Sequence, residues 1–188
     1  MKNKAIFLDR DGVINQDYGY VHVKDNFEFI DGIFDVVRTA IEHDYKVIVV
    51  TNQAGIGREY YDTKQFQDLT SWMCGEFERR GCFITKVYHS PYHPTKGLGH
   101  YKQDHFSRKP NPGMILDAGI DFDIDMRRSI LVGDHETDMI AGARAGIGKL
   151  ILYSCEGISS KNSEQLKDCL VFKSLYEVKD LILSECMK

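Results

Sequence analysis

Short apolar runs alternate with longer amphipathic stretches along most of this chain. The runs Ala5–Leu8, Lys46–Val50, Thr85–His89, Ser129–Val132 and Lys149–Leu152 predict buried strands, and Leu170–Phe172 a weaker sixth. Between them, Ile33–His43, Thr63–Arg80, Pro112–Ala118, Asp138–Ala145 and Leu175–Ser184 carry apolar residues at three- and four-residue spacing, the mark of a helix with one buried stripe. Strand and helix in alternation predict βαβ units and a parallel sheet. Right-handed crossovers then put helices on both faces. The expected fold class is α/β: a Rossmann-like, doubly wound parallel sheet. No repeat, low-complexity tract or composition shift marks a second domain, so residues 1–188 read as one.

Two segments break the pattern. Residues 15–29 follow the first strand with Tyr, Gly and Val in no clean period, and predict a hairpin-like flap. Residues 90–111 form a long irregular insertion holding His93, His100, His105 and every proline except Pro112. Loops of this length usually close over a site or hold a metal. Neither is large enough for an independent cap domain, so a fairly open cleft is expected.

Composition narrows the classes. The chain has 188 residues, 43% hydrophobic and 28% charged, which suits one soluble globular domain with a sizeable core. A net charge of −4 gives no global basic field for nucleic acid. No apolar run approaches the roughly 20 residues needed to span a bilayer, and the N-terminus runs directly into a strand, with no room for a secretory signal. The cysteines (74, 82, 155, 169 and 186) are odd in number, scattered, and lack a C-x-x-C pair. These features lead us to expect a cytoplasmic monomer with reduced thiols and no nucleic-acid or membrane partner.

The chemistry sits where strands end. Phe7-Leu8-Asp9-Arg10-Asp11-Gly12 delivers two carboxylates, Asp9 and Asp11, to the carboxyl edge of the sheet, where open α/β sheets bind ligands. Period-two alternation puts them on one side of an extended chain, and their repulsion calls for a hard cation such as Mg2+. The second strand runs into Thr51-Asn52-Gln53-Ala54-Gly55-Ile56-Gly57, whose hydroxyl, amides and glycines suit a phosphate oxygen or an ordinary turn. Arg108-Lys109-Pro110-Asn111-Pro112 pairs a guanidinium fork with a point charge, complementary phosphate binders. The fourth strand ends in Gly133-Asp134, with Asp138 four residues later. Asp134 could bind a metal directly. Asp138 could bind it through water, orient a ligand, or, like Thr137, cap the next helix.

The order strand-DxD, strand-TN, RKP, strand-GDxxxD resembles the haloacid dehalogenase (HAD) superfamily of phosphohydrolases over roughly residues 4–153. Within it, Asp-Arg-Asp-Gly-Val-Ile-Asn, Thr-Asn-Gln-Ala-Gly-Ile-Gly-Arg and Arg-Lys-Pro-Asn-Pro-Gly-Met resemble the D-glycero-D-manno-heptose 1,7-bisphosphate 7-phosphatase family, with the histidinol phosphatases close by. The resemblance implies a HAD-like fold without a large cap and a Mg2+-dependent phosphomonoesterase. Asp9 is then the nucleophile and Asp11 the general acid and base. Asp9, Asp134 and the Asp11 carbonyl hold the Mg2+, with Asp138 behind them. Thr51 and Lys109 grip the phosphoryl group. Asn52, Gln53, Gly55, Arg58 and Arg108 contact the phosphate or sugar of a small sugar-phosphate substrate from heptose metabolism.

Many members of that family hold a structural zinc with Cys-Pro-His-x-Pro and a later Cys-x-Cys. Here the text reads Ser90-Pro91-Tyr92-His93-Pro94 and His105-Phe106-Ser107. Only His105 suits zinc among Ser90, Tyr92, His105 and Ser107, so no structural zinc is expected. A site improvised from His89, His93, His100 and His105 stays open, as do histidinol phosphate or a nucleic-acid 3′-phosphate as substrates, and a non-catalytic phosphate-binding role.

Overall fold

The structure, a computed structural model, describes residues 2–154 and 168–185. Six parallel strands, β1 (Lys4–Leu8), β2 (Tyr45–Asn52), β3 (Lys86–Ser90), β4 (Ile130–Gly133), β5 (Lys149–Tyr153) and β6 (Leu170–Phe172), line up in the order β3-β2-β1-β4-β5-β6. The helices are α1 (Ile33–Glu42), α2 (Ala54–Gly57), α3 (Thr63–Glu78), α4 (Gly113–Asp121), α5 (Glu136–Ala145) and α6 (Leu175–Glu185). The predicted doubly wound sheet is present. Element ends move by a residue or so, and the short α2 is new because a single turn is too brief to show a period. Cys155 and Cys186 lie outside the described residues.

Alternation along each central strand divides the core. Ile6, Leu8, Val47, Val49 and Val132 face a cluster built with α1, α3 and α6, including Val36, Met73, Phe77 and Val178. Ala5, Phe7, Ile48, Val50 and Leu131 face the other way, onto Met114 and Ile115 of α4 and Met139 and Ala141 of α5. Strand order reverses between β1 and β4, so their carboxyl ends splay to open a crevice. None of the described helices is long and apolar enough to cross a membrane.

The irregular segments flank that crevice. Residues 15–29 are less regular than the expected hairpin: one antiparallel bridge, Asn15 to Phe29, closes the loop, and a 3₁₀ turn at Lys24–Asn26 is its only helical piece. Burial of Val21 and Phe27 in the core, not strand pairing, fixes it. Residues 90–111 contain one 3₁₀ turn, Gly99–Tyr101.

Candidate active site

At the switch point, a cavity of about 470 Å³ is lined by Asp9, Asp11, Thr51, Asn52, Gln53, Arg108 and Lys109, joined by Tyr20, Tyr61, His93, His135 and Thr137. Four separate chain segments thus converge on one side of the sheet, as the sequence motifs predict. Asp134 lies beside them, its carboxylate against Gly12. A Cβ on Gly12 would come within 2.0 Å of Asp134 Oδ2, and the residue has φ +84, so only glycine lets the first loop pass this carboxylate.

Lys109 is the electrostatic centre. It is 3% exposed, and its ammonium lies 2.9 Å from Asp9 Oδ2 and 2.5 Å from Asp138 Oδ1, while donating to the Val50 carbonyl at 2.8 Å. Burial alone would discharge it, but Asp138 and Asp9 outweigh burial and hold its proton more tightly than in a free lysine. Asn52 fixes its backbone from both sides, Nδ2 donating to the Lys109 carbonyl and Oδ1 accepting from its amide. Asp138 also accepts from the His135 backbone amide at the start of α5, so the helix cap the sequence allowed is also the partner of Lys109.

Lys109 and His135, the latter pushed up to about 9 chiefly by its contact with Asp134, face the carboxylates of Asp9, Asp134 and Asp138. Asp9 is pushed up to about 8, chiefly by burial; Lys109 opposes the shift, and Asp138 and Asp134 add to it. Asp134 Oδ1 is buried without a hydrogen-bond donor; His135 Nδ1, 2.7 Å away, makes an ion-pair contact outside hydrogen-bond alignment. A buried carboxylate oxygen with no hydrogen-bond donor, among converging carboxylates, fits a hard divalent cation. Asp134, His135 and Asp138 also bring potential ligand atoms within 4.8 Å of one another, but a hard cation prefers the carboxylates to the imidazole.

Asp11 differs from the sequence expectation in what compensates it. Arg10, 1% exposed, turns back and donates from Nε and Nη2 to both Asp11 oxygens at 2.7–3.2 Å. Asn15 Nδ2 and Gln53 Nε2 complete the set, each at 3.0 Å. A guanidinium, then, meets this charge. Gln53 also donates to Thr51 Oγ1 and accepts from Tyr61 Oη, so Gln53 links the predicted phosphate-gripping hydroxyl to Asp11.

Two predicted substrate contacts lie off the cavity wall. Gly55 is buried against the Tyr61 ring. Arg58 bonds to the hydroxyls of Tyr20 and Tyr60 and lies over both rings, holding the flap in place. Arg108 reaches the cavity with one nitrogen tied to the Tyr92 carbonyl at 2.8 Å. Burial, with the charges of Arg108, Lys96 and Arg58, holds His93, which lines the cavity with Arg108, below the usual histidine range.

A HAD-hydrolase-like family model matches residues 106–178. The D-glycero-alpha-D-manno-heptose-1,7-bisphosphate 7-phosphatase of Burkholderia mallei is 54% identical over 161 residues, covering 86% of this chain and 85% of that protein. The D-glycero-beta-D-manno-heptose-1,7-bisphosphate 7-phosphatase of Vibrio cholerae is 39% identical, covering 97% of this chain and 98% of its own length. The chain belongs to this family of HAD phosphatases. Its fold also superposes on the D,D-heptose 1,7-bisphosphate phosphatase of B. bronchiseptica, a structure complexed with magnesium and phosphate, with TM-score 0.81 and 27% identity over 97% of this chain and 99% of that one.

Against the family's zinc loop, the altered positions still converge. Ser107 Oγ donates to Ser90 Oγ at 3.0 Å and lies 2.7 Å from His105 Nδ1, and the Tyr92 and His105 rings stack at 3.8 Å. The other histidines are engaged separately: His89 against Phe66, His100 against Tyr101, and His93 accepting from the Thr95 and Lys96 amides. This donor set does not suit zinc. Strong chelation followed by Mg2+ is expected to leave the melting temperature unchanged, whereas Ser107→Ala should cost about 1 kcal/mol. Stoichiometric zinc by elemental analysis, lost together with stability, would contradict the hydrogen-bonded loop.

Residues missed from the sequence share one cause. Arg10, Tyr20 and Tyr61 reach the site by folding back or by loop packing, for which no period or motif gives a signal, and His93, singled out only as a possible metal ligand, lines the cavity instead.

Proposed function

We propose that this chain removes the C7 phosphate of D-glycero-D-manno-heptose 1,7-bisphosphate, as a cytoplasmic monomer. The observation that carries the reading is one cavity whose lining joins Asp9, Asp11 and Lys109 to the guanidinium of Arg108. The carboxylates and Lys109 suit the reacting phosphoryl group, and Arg108 offers a further cation to a second phosphate. Identity of 54% to an enzyme named for the alpha-anomer supports that anomer as the better substrate.

Asp9 attacks phosphorus through Oδ2, beside the Lys109 ammonium, giving an aspartyl-phosphate and splitting a hard hydrolysis into two steps. Asp11 gives its proton to the departing sugar oxygen and takes one from the water that cleaves the intermediate. Thr51 and Lys109 hold the phosphoryl oxygens while charge develops on them. Asp9, Asp134 and the Asp11 backbone carbonyl would hold Mg2+, which when bound supplies positive charge against those oxygens.

Both heptose bisphosphate anomers, histidinol phosphate, fructose 1,6-bisphosphate and a 3′-phosphorylated oligonucleotide form the test panel. The alpha-anomer is expected to give the highest kcat/KM. Histidinol phosphate should be poor, because its ammonium would meet the Arg108 guanidinium. A higher kcat/KM for histidinol phosphate than for either anomer would refute the substrate assignment. Arg108→Ala should raise KM for the bisphosphate about tenfold or more with little change in kcat, the pattern of binding lost equally from ground and transition states. A fall in kcat at constant KM would place Arg108 at the reacting phosphate.

A further inference from the structure

The buried guanidinium of Arg10 has no part in the chemistry above, yet it is bonded both to the site and to the flap. Its side chain is 1% exposed. Nε and Nη2 embrace the Asp11 carboxylate, and Nη2 also donates to the Val21 carbonyl at 2.6 Å, in the flap. Its backbone amide donates to Asp9 Oδ1 at 2.7 Å. One residue therefore touches both carboxylates of the motif and the segment that roofs them.

Burying a guanidinium is costly unless it is paired and its donors are used. A merely structural anchor for the flap could have used a neutral donor to the Val21 carbonyl. The fork instead fixes the plane of the Asp11 carboxylate, which a point charge could not do. Without it, Asp11 would keep only Asn15 and Gln53, one to each oxygen, and could swing about its side-chain torsions. Arg10 itself does not line the cavity, so it has no route to substrate.

We propose that Arg10 is the positioning residue for the proton-transferring Asp11, holding its carboxylate in one orientation beside Asp9 and tying that orientation to the flap through Val21. The inference rests on the reading of Asp11 as general acid and base. A carboxylate misplaced by an ångström loses most of its proton-transfer contribution. Arg10 should therefore influence kcat and leave KM alone, and should matter only while Asp11 is present.

The test is a double-mutant cycle of Arg10→Met, Asp11→Asn and both together, assayed with the heptose bisphosphate and an aryl phosphate in Mg2+, with melting curves for each protein. Arg10→Met should lower kcat for the sugar phosphate on the order of 10²-fold, within the range spanned by general acid–base catalysis, with KM changed less than twofold. It should cost less for the aryl phosphate, whose leaving group needs no proton. The double variant should be no slower than Asp11→Asn alone. Arg10→Lys, which keeps the charge without the fork, should recover only part of the rate and serves as the folded control if Arg10→Met melts. Losses that multiply in the double variant, or that are equal for both substrates, would overturn the positioning role while leaving Asp11 as acid and base. Full sugar-phosphate activity in Asp11→Asn alone would instead remove the reading on which the inference rests.

Discussion

Asp9→Asn is expected to abolish turnover of the heptose bisphosphate, lowering kcat by about four orders of magnitude or more, as losses of a covalent nucleophile do. The amide keeps the shape of the side chain and loses both the attacking oxygen's charge and one donor to a divalent cation. Folding should survive. Asp9 is a buried carboxylate pushed up to about 8, so removing its charge relieves the floor of the cavity, and Lys109 retains Asp138 at 2.5 Å and the Val50 carbonyl. The melting temperature of the metal-free variant should therefore match or exceed that of the parent, in contrast to the kinetic collapse. Trapping with beryllofluoride should label the parent and not the variant. Retention of more than a hundredth of parental kcat, in protein shown free of parental contamination, would exclude Asp9 as nucleophile.

The fold was legible because each central strand is buried on both faces. Ile6 and Leu8 pack against one helical layer and Ala5 and Phe7 against the other, so the sequence shows continuous apolar runs that end where the carboxyl edge begins. The same physics makes Asp9, Thr51 and Asp134 legible: polar groups that end a buried run lie at the sheet edge and nowhere else. Lys109 was legible by motif, but its partner was not. Asp138 reads equally well as a helix cap, and only the packing of α5 beside the 90–111 segment brings it to the lysine. Arg10 was illegible for a related reason. Its immediate neighbour Asp11 takes both its donors, yet an extended chain would point the two side chains apart. The chain instead turns at Arg10, whose carbonyl accepts from the Val13, Ile14 and Asn15 amides, and is not extended there. Arg58, a cation in a phosphate-binding motif, bonds to Tyr20 and Tyr60 in the fold, contacts that no motif announces.

Lys109→Met is expected to damage stability and catalysis together, by separable amounts. Methionine fills nearly the same volume, so the loss is one of charge. It leaves Asp9 and Asp138 buried with no counter-charge, and breaking a buried pair from one side costs about 3–5 kcal/mol. The metal-free protein should show this as a large fall in melting temperature. Mg2+ should raise the melting temperature of the variant more than that of the parent, because surplus negative charge on Asp9, Asp134 and Asp138 strengthens the binding of a divalent cation. Catalysis should not recover with stability. The ammonium that would hold the phosphoryl oxygens is gone, and losing a preorganised donor to developing charge typically costs 10²–10³-fold in kcat. Measured at saturating Mg2+ and a temperature where the variant is fully folded, kcat should stay down by at least about 10²-fold. Recovery to within tenfold of the parent under those conditions would show that Lys109 serves only to neutralise Asp9 and Asp138 in the fold and has no hold on the transferring phosphate.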